Sequence, residues 1–162
     1  LETSNLKNVF RVWITNPVGT SSQPHGLVYI ECNSDSCYGE LILMRVKFDR
    51  RNLTETITET KRTTLSPSNL TWPAISDSLI NLKFHELPTD DLIPDYYPNN
   101  SGYVNSGPTF SFEYSNPSEY RFYQYNDIYR VHDKFWQPEN VIKILDLLES
   151  EFQWDTRARE YF

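Results

Sequence analysis

Leu27-Val28-Tyr29-Ile30-Glu31-Cys32-Asn33-Ser34-Asp35-Ser36-Cys37-Tyr38-Gly39-Glu40-Leu41-Ile42-Leu43-Met44-Arg45-Val46-Lys47-Phe48 reads as two strands folded back on one another. The centre, Asn33-Ser34-Asp35-Ser36, consists of turn formers, and apolar strand patterns flank it on both sides. In the second strand Ile42, Met44, Val46 and Phe48 share one face. Arg45, Lys47 and Asp49 take the other, with Leu41 and Leu43 beside them near the turn. A hairpin brings the Cβ atoms of Cys32 and Cys37 within disulfide range, which implies an oxidising compartment. The alternative reading is a pair of free thiols at the mouth of a cytosolic hairpin. A thiolate metal site is disfavoured, since two thiolates so spaced need partners and there is no second Cys pair.

Outward from this hairpin the chain keeps alternating. Phe10, Val12 and Ile14 interleave with Arg11, Trp13 and Thr15 as a strand with one buried face, and Asn16-Pro17-Val18-Gly19 stops it. Thr54 to Thr64 is rich in threonine and charge and poor in apolar groups, which suits an exposed edge strand. Pro73 fits a first helical turn, and Ile75, Leu79 and Leu82 then follow at helical spacing, with an end before Pro88. Phe110, Phe112 and Tyr114 form a clean strand, Ser115 to Glu119 turns the chain, and Tyr120 to Tyr125 pairs back. Aromatics occupy both parities of that last strand, so the pattern does not choose its buried face. Val141, Leu145, Leu148 and Phe152 line a closing helix, widened by Ile142 and Ile144, with Trp136 placed to staple onto Val141. The tail 154–162 extends or frays it.

The expected architecture is α+β: an antiparallel sheet of about five to six strands with two helices packed on one face. One domain spans 1–162, because domains commonly hold roughly 100–200 residues. Residues 88–108 form a long Tyr-, Pro- and Asn-rich loop.

The order Phe10-Arg11-Val12-Trp13, sheet strands, a helix closing on Phe84-His85-Glu86-Leu87-Pro88, an aromatic hairpin over 110–125 and a final apolar helix resembles small exported proteins and lipoproteins of Gram-negative bacteria, of the Bacteroidota type. The resemblance covers about two-thirds of the chain, judged on its helix and hairpin pattern. It implies export to the periplasm or cell envelope, with a signal or lipid anchor upstream of Leu1, and it carries over no functional residues. The Cys32–Cys37 hairpin and the Tyr-rich loop depart from it.

Composition narrows the function. A net charge of −7 disfavours binding to a phosphate backbone. Arg45, Lys47, Arg50, Arg51, Lys61 and Arg62 cluster, but Asp49, Glu55 and Glu59 lie among them, as on a mixed solvated face. No stretch reaches the roughly 20 apolar residues of a membrane-spanning helix. Glycine-rich phosphate loops are absent from the sequence, so no cofactor is expected. His25, His85 and His132 sit in no nucleophile motif, and the acids after His85 lack a calcium-loop pattern, so no catalytic or metal residue is assigned.

The strongest lead is the loop carrying Tyr96, Tyr97 and Tyr103 with Asp90, Asp91 and Asp95, because tyrosine offers large contact area at low entropy cost. The leading reading is a non-enzymatic domain that presents this loop to a protein partner, as an inhibitor or immunity protein does. A glycan or small-molecule binder with a Tyr/Trp stacking cleft is one alternative. A hydrolase with a His/carboxylate site assembled in space is the other.

Overall fold

A computed structural model describes residues 7–15, 25–33, 36–49, 51–52, 54–96, 108–126 and 128–154. Its sheet has six antiparallel strands: β1 (Asn8–Thr15), β2 (His25–Cys32), β3 (Cys37–Asp49), β4 (Thr54–Thr64), β5 (Thr109–Asn116) and β6 (Glu119–Asn126). They lie in the order β4-β3-β2-β1-β5-β6. The expected α+β class is therefore the observed one. Two substantial helices, α1 (Trp72–Asn81) and α3 (Trp136–Phe152), accompany a short α2 (Ile128–Val131) and a 3-10 turn at Asp90–Leu92.

The first strand governs the layout. With Phe10, Val12 and Ile14 on one side, β1 pairs with β2 on one edge and β5 on the other. Phe10 thereby stands between Ile30 and Tyr114, and Val12 between Val28 and Phe112. Against this face pack Ile75 and Leu79 of α1 and Val141, Ile144, Leu145 and Leu148 of α3, all buried. At its centre Phe84, fully buried after α1, meets Phe10, Phe112 and Tyr123 edge-on at 5.2, 5.6 and 6.0 Å. Edge-on rings set a positive rim on a negative face, which adds to the burial term.

Two glycines admit large rings to the sheet. A Cβ on Gly26 would lie 2.8 Å from the Trp154 ring, and one on Gly39 would overlap the Trp72 ring. Trp154, the start of the expected tail, is thus a core residue. Residues 155–162 lie outside the described residues.

One expectation changes, at α3, and on β3 the structure selects the buried face. On β3 it is Leu41 and Leu43 that join the core under the helices, while Ile42, Met44, Val46 and Phe48 take the opposite face. The physical reason is register: Leu41 stands opposite Val28, a core residue of β2. At α3, Trp136 is half exposed, and Phe135 at the N-cap packs inward instead. The edge strand is as expected, with every residue of β4 exposed. For β6 the structure makes the choice that the pattern left open: Tyr123 and Tyr125 are buried, while Tyr120 and Phe122 face solvent.

Cys32 and Cys37 stand directly opposite in the β2–β3 register and are joined by a disulfide. The next pair outward, Asn33 and Ser36, is hydrogen-bonded through the backbone, so the cysteines occupy the closely spaced, non-hydrogen-bonded position. Removing the cross-link in a Cys32→Ser, Cys37→Ser variant should cost about 2 kcal/mol, the chain-entropy value for so short a loop. Urea denaturation with and without reductant measures it, and an unmoved midpoint would contradict the assignment.

A buried carboxylate closes the far end. Glu151 of α3 accepts from the backbone N–H groups of Asn69 and Leu70 at 2.9 Å, and its backbone carbonyl accepts from Ser68. Burial alone would raise its pKa, but the Leu70 and Asn69 donors outweigh that and hold it below the ordinary carboxylate value. A depressed native pKa contributes stability above the unfolded pKa of about 4.5 and loses it as pH falls through the native value. Glu151→Gln should therefore cost about 1–2 kcal/mol at pH 7 and flatten the loss of stability below pH ~4.5, read from denaturation midpoints across pH. Parallel pH profiles for both proteins would refute this role.

Candidate functional site

The acidic tyrosine loop is mostly structural in its described part. Tyr96 is 2% exposed, its ring meets Tyr125 and Phe135, and its phenol donates to the Asn126 carbonyl at 2.8 Å. Asp90 is also buried, and its Oδ2 accepts from the Asn126 backbone N–H at 2.9 Å and from its side-chain amide at 3.1 Å. Asp91 and Asp95 are exposed, with Asp95 in a left-handed backbone conformation at φ 61°. Tyr97 and Tyr103 lie outside the described residues. Two of the six predicted residues, Tyr96 and Asp90, thus pin the segment after α1 onto β6, and among the described residues no three His, Cys, Asp or Glu side chains are gathered as metal ligands.

The histidines are attached to different parts of the molecule. His25 opens β2 opposite Met44. His85 packs its ring on Tyr114 and sets Nε2 3.1 Å from Glu86, and its Nδ1 is buried without a partner. His132 is exposed beyond α2, with Nδ1 3.0 Å from the Tyr129 carbonyl.

What the sequence reading missed is the sheet face that no described helix covers. Register alone assembles its central row: Glu40 opposite Tyr29, Tyr29 opposite Arg11, Arg11 opposite Glu113, and Glu113 opposite Phe122. The side chains then lock together. Arg11 pairs with Glu113 at 2.9 Å and lies over the Tyr29 ring at 5.4 Å. The second Glu113 oxygen accepts from Trp13 Nε1 at 2.7 Å. Glu31 accepts from Lys7 at 2.6 Å through one oxygen and from the Tyr29 phenol at 2.5 Å through the other. Arg62 reaches Glu40 across the β3–β4 pair at 2.9 Å. Around this row stand the exposed rings of Tyr38, Tyr120 and Phe122.

The electrostatics follow from these contacts. Lys7 and the Tyr29 phenol hold Glu31 below its usual range, so it stays ionised and is a poor proton donor. Partial burial, and then the bond to Glu31, push the Tyr29 phenol up to about 12. The row is a set of charges and rings held by one another's contacts. A clue was present in the sequence: the outward parities of β1, β2 and β5 hold Arg11, Trp13, Tyr29, Glu31 and Glu113, where a merely solvated face has no need of rings.

Two grooves among the described residues lie elsewhere. A groove of about 600 Å³ between α1 and α3 is lined by Ser78, Asn81, Leu82, Lys143, Asp146, Leu147 and Ser150. A smaller one of about 290 Å³ sits beside the disulfide. Neither has an aromatic in its lining.

No family model matches the sequence, and no curated protein matches it. No described helix is long and apolar enough to cross a membrane. The disulfide is compatible with a location outside the cytoplasm.

If Tyr96 is a packing residue, Tyr96→Phe should cost about 1 kcal/mol for the lost hydrogen bond and Tyr96→Ala about 3–5 kcal/mol. Thermal denaturation reads both. A Tyr96→Ala protein as stable as wild type would return this residue to the surface.

Proposed function

We propose that this chain is an exported, disulfide-closed interaction domain that binds a protein partner on the helix-free face of its sheet and catalyses no reaction of its own. The observation that carries the reading is the pre-formed row Glu40–Tyr29–Arg11–Glu113–Phe122, flanked by Tyr38 and Tyr120. Aromatic rings and arginine are the side chains that dominate binding energy at protein interfaces. Because ion pairs already hold Arg11, Glu113 and Glu40, less of their side-chain entropy remains to be lost on association.

The contact surface is thereby moved from the tyrosine loop to the sheet. Tyr96 and Asp90 have internal partners, whereas Tyr120 and Phe122 are 60% and 54% exposed. An inhibitor or immunity role suits a small acidic domain of this kind. Two further observations weigh against the alternatives. The aromatics sit on an open sheet and line neither described groove, which disfavours a sugar-stacking cleft. Among the described residues the ionised Glu31 and the scattered histidines give no acid–base pair for hydrolysis.

Photo-crosslinking tests the surface. Benzoylphenylalanine at position 120 should trap a partner in envelope extracts of the source cells, and the same group at position 136 should not. Affinity for the trapped partner should fall at least tenfold in a Phe122→Ser, Arg11→Ala protein. Adducts from position 136 with none from 120 would refute the reading.

A further inference from the structure

The two free edges of the sheet are guarded unequally. β4 is exposed along its whole length, but its threonines, its charges and a bulge at Arg45/Val46 discourage pairing. The outer half of β6 is closed by side chains. The Gln124 N–H donates to Thr89 Oγ1 at 3.3 Å, and that hydroxyl donates to the Gln124 carbonyl at 3.2 Å. Two residues on, Asp90 accepts from the Asn126 N–H and the Tyr96 phenol donates to the Asn126 carbonyl. The β5–β6 register runs without a bulge from Thr109↔Asn126 to Asn116↔Glu119. Backbone direction alternates along a strand, so the N–H and C=O of Phe122 and Tyr120 point outward as those of Gln124 do. No described residue bonds them.

We propose that the partner adds a strand to this open stretch of β6, Glu119–Phe122, as an extended segment with an acidic residue opposite Arg121 and apolar residues beside Tyr120 and Phe122. This rests on the reading of the sheet as a protein-binding surface. Unpaired backbone donors and acceptors in a row are recognised by another extended backbone, and alternate side chains then set specificity. The residues facing Tyr120 and Phe122 lie on the open face beside exposed rings, which favours apolar side chains there.

The residue between them faces Arg121, which is exposed and has no ion-pair partner among the described residues. This weighs against a second copy in the two-fold register that pairs the two open residues with each other. Two-fold pairing of Tyr120 with Phe122 would set Arg121 against its own copy, and like charges directly opposite destabilise a sheet.

The probe is an acetylated, amidated Thr-Thr-Val-Glu-Val-Thr-Thr peptide, titrated into the ¹⁵N-labelled protein beside its lysine-centred counterpart. The glutamate peptide should shift the Tyr120 and Phe122 amides, slow their hydrogen exchange and bind about fivefold tighter than the lysine peptide, against the net charge of −7. Arg121→Glu, a substitution at an exposed position whose folding is checked by circular dichroism, should reverse that preference. Unperturbed Tyr120 and Phe122 amides at millimolar peptide, or a preference unchanged by Arg121→Glu, would overturn the proposal. So would shifts at these amides on concentrating the protein alone, which would assign the edge to a second copy. If the peptide fails while crosslinking at position 120 succeeds, strand addition is wrong and the broader surface reading stands.

Discussion

Three phenol hydroxyls tie the segment after α1 to the last strand, and much of the molecule depends on them. Tyr123 donates to the Phe84 carbonyl at 2.8 Å, Tyr125 to the Pro88 carbonyl at 2.6 Å, and Tyr96 to the Asn126 carbonyl at 2.8 Å. Burial pushes the Tyr123 and Tyr125 phenols well above the usual value, so they remain protonated donors. Segment 84–96 carries backbone carbonyls into the core without a sheet or long helix to satisfy them. An unmet buried carbonyl costs roughly 1–3 kcal/mol, so each hydroxyl matters more than its net bond energy suggests. These bonds satisfy the hydroxyls of the parity that register with β5 buries, Tyr123 opposite Phe112 and Tyr125 opposite Phe110, and that parity turns Tyr120 and Phe122 outward.

The consequences run across the sheet. Phe84, held in place by Tyr123, is the ring on which Phe10 of β1 and Phe112 of β5 converge. Thr89 and Asp90 are brought to the upper edge of β6 by the same segment and close it. The helix layer occupies one face, held at its far end by Glu151. The other face is left to the row built around Arg11 and Glu113. Cover and exposure are thus parts of one arrangement: what the segment after α1 closes defines what remains open.

Much of this was legible in the sequence. The strands alternate with a period of two, so β1, β5 and the cysteine hairpin announce themselves, and α3 is marked by its apolar line. What could not be read was choice between equal patterns. Both parities of β6 hold aromatics, and what distinguishes them is the register that sets Tyr123 and Tyr125 opposite the core residues Phe112 and Phe110, with the Phe84 and Pro88 carbonyls as partners for their hydroxyls. On β3 the parity with more apolar residues faces away from the helices, because register with Val28 sets Leu41 inside. Tyr96 and Asp90 looked like surface recognition groups because nothing local shows that Asn126, 30 and 36 residues away, supplies their partners. The row on the open face was hidden for the same reason: Arg11 and Glu113 are 102 residues apart and meet only through the β1–β5 register.

Residue-resolved amide hydrogen exchange in the free protein tests this account most directly. If segment 84–96 closes the upper edge of β6 and leaves the lower edge open, the Gln124 and Asn126 amides should be protected, while the Tyr120 and Phe122 amides on the same edge exchange freely. Equal protection of all of them, or rapid exchange at Gln124 and Asn126, would contradict it.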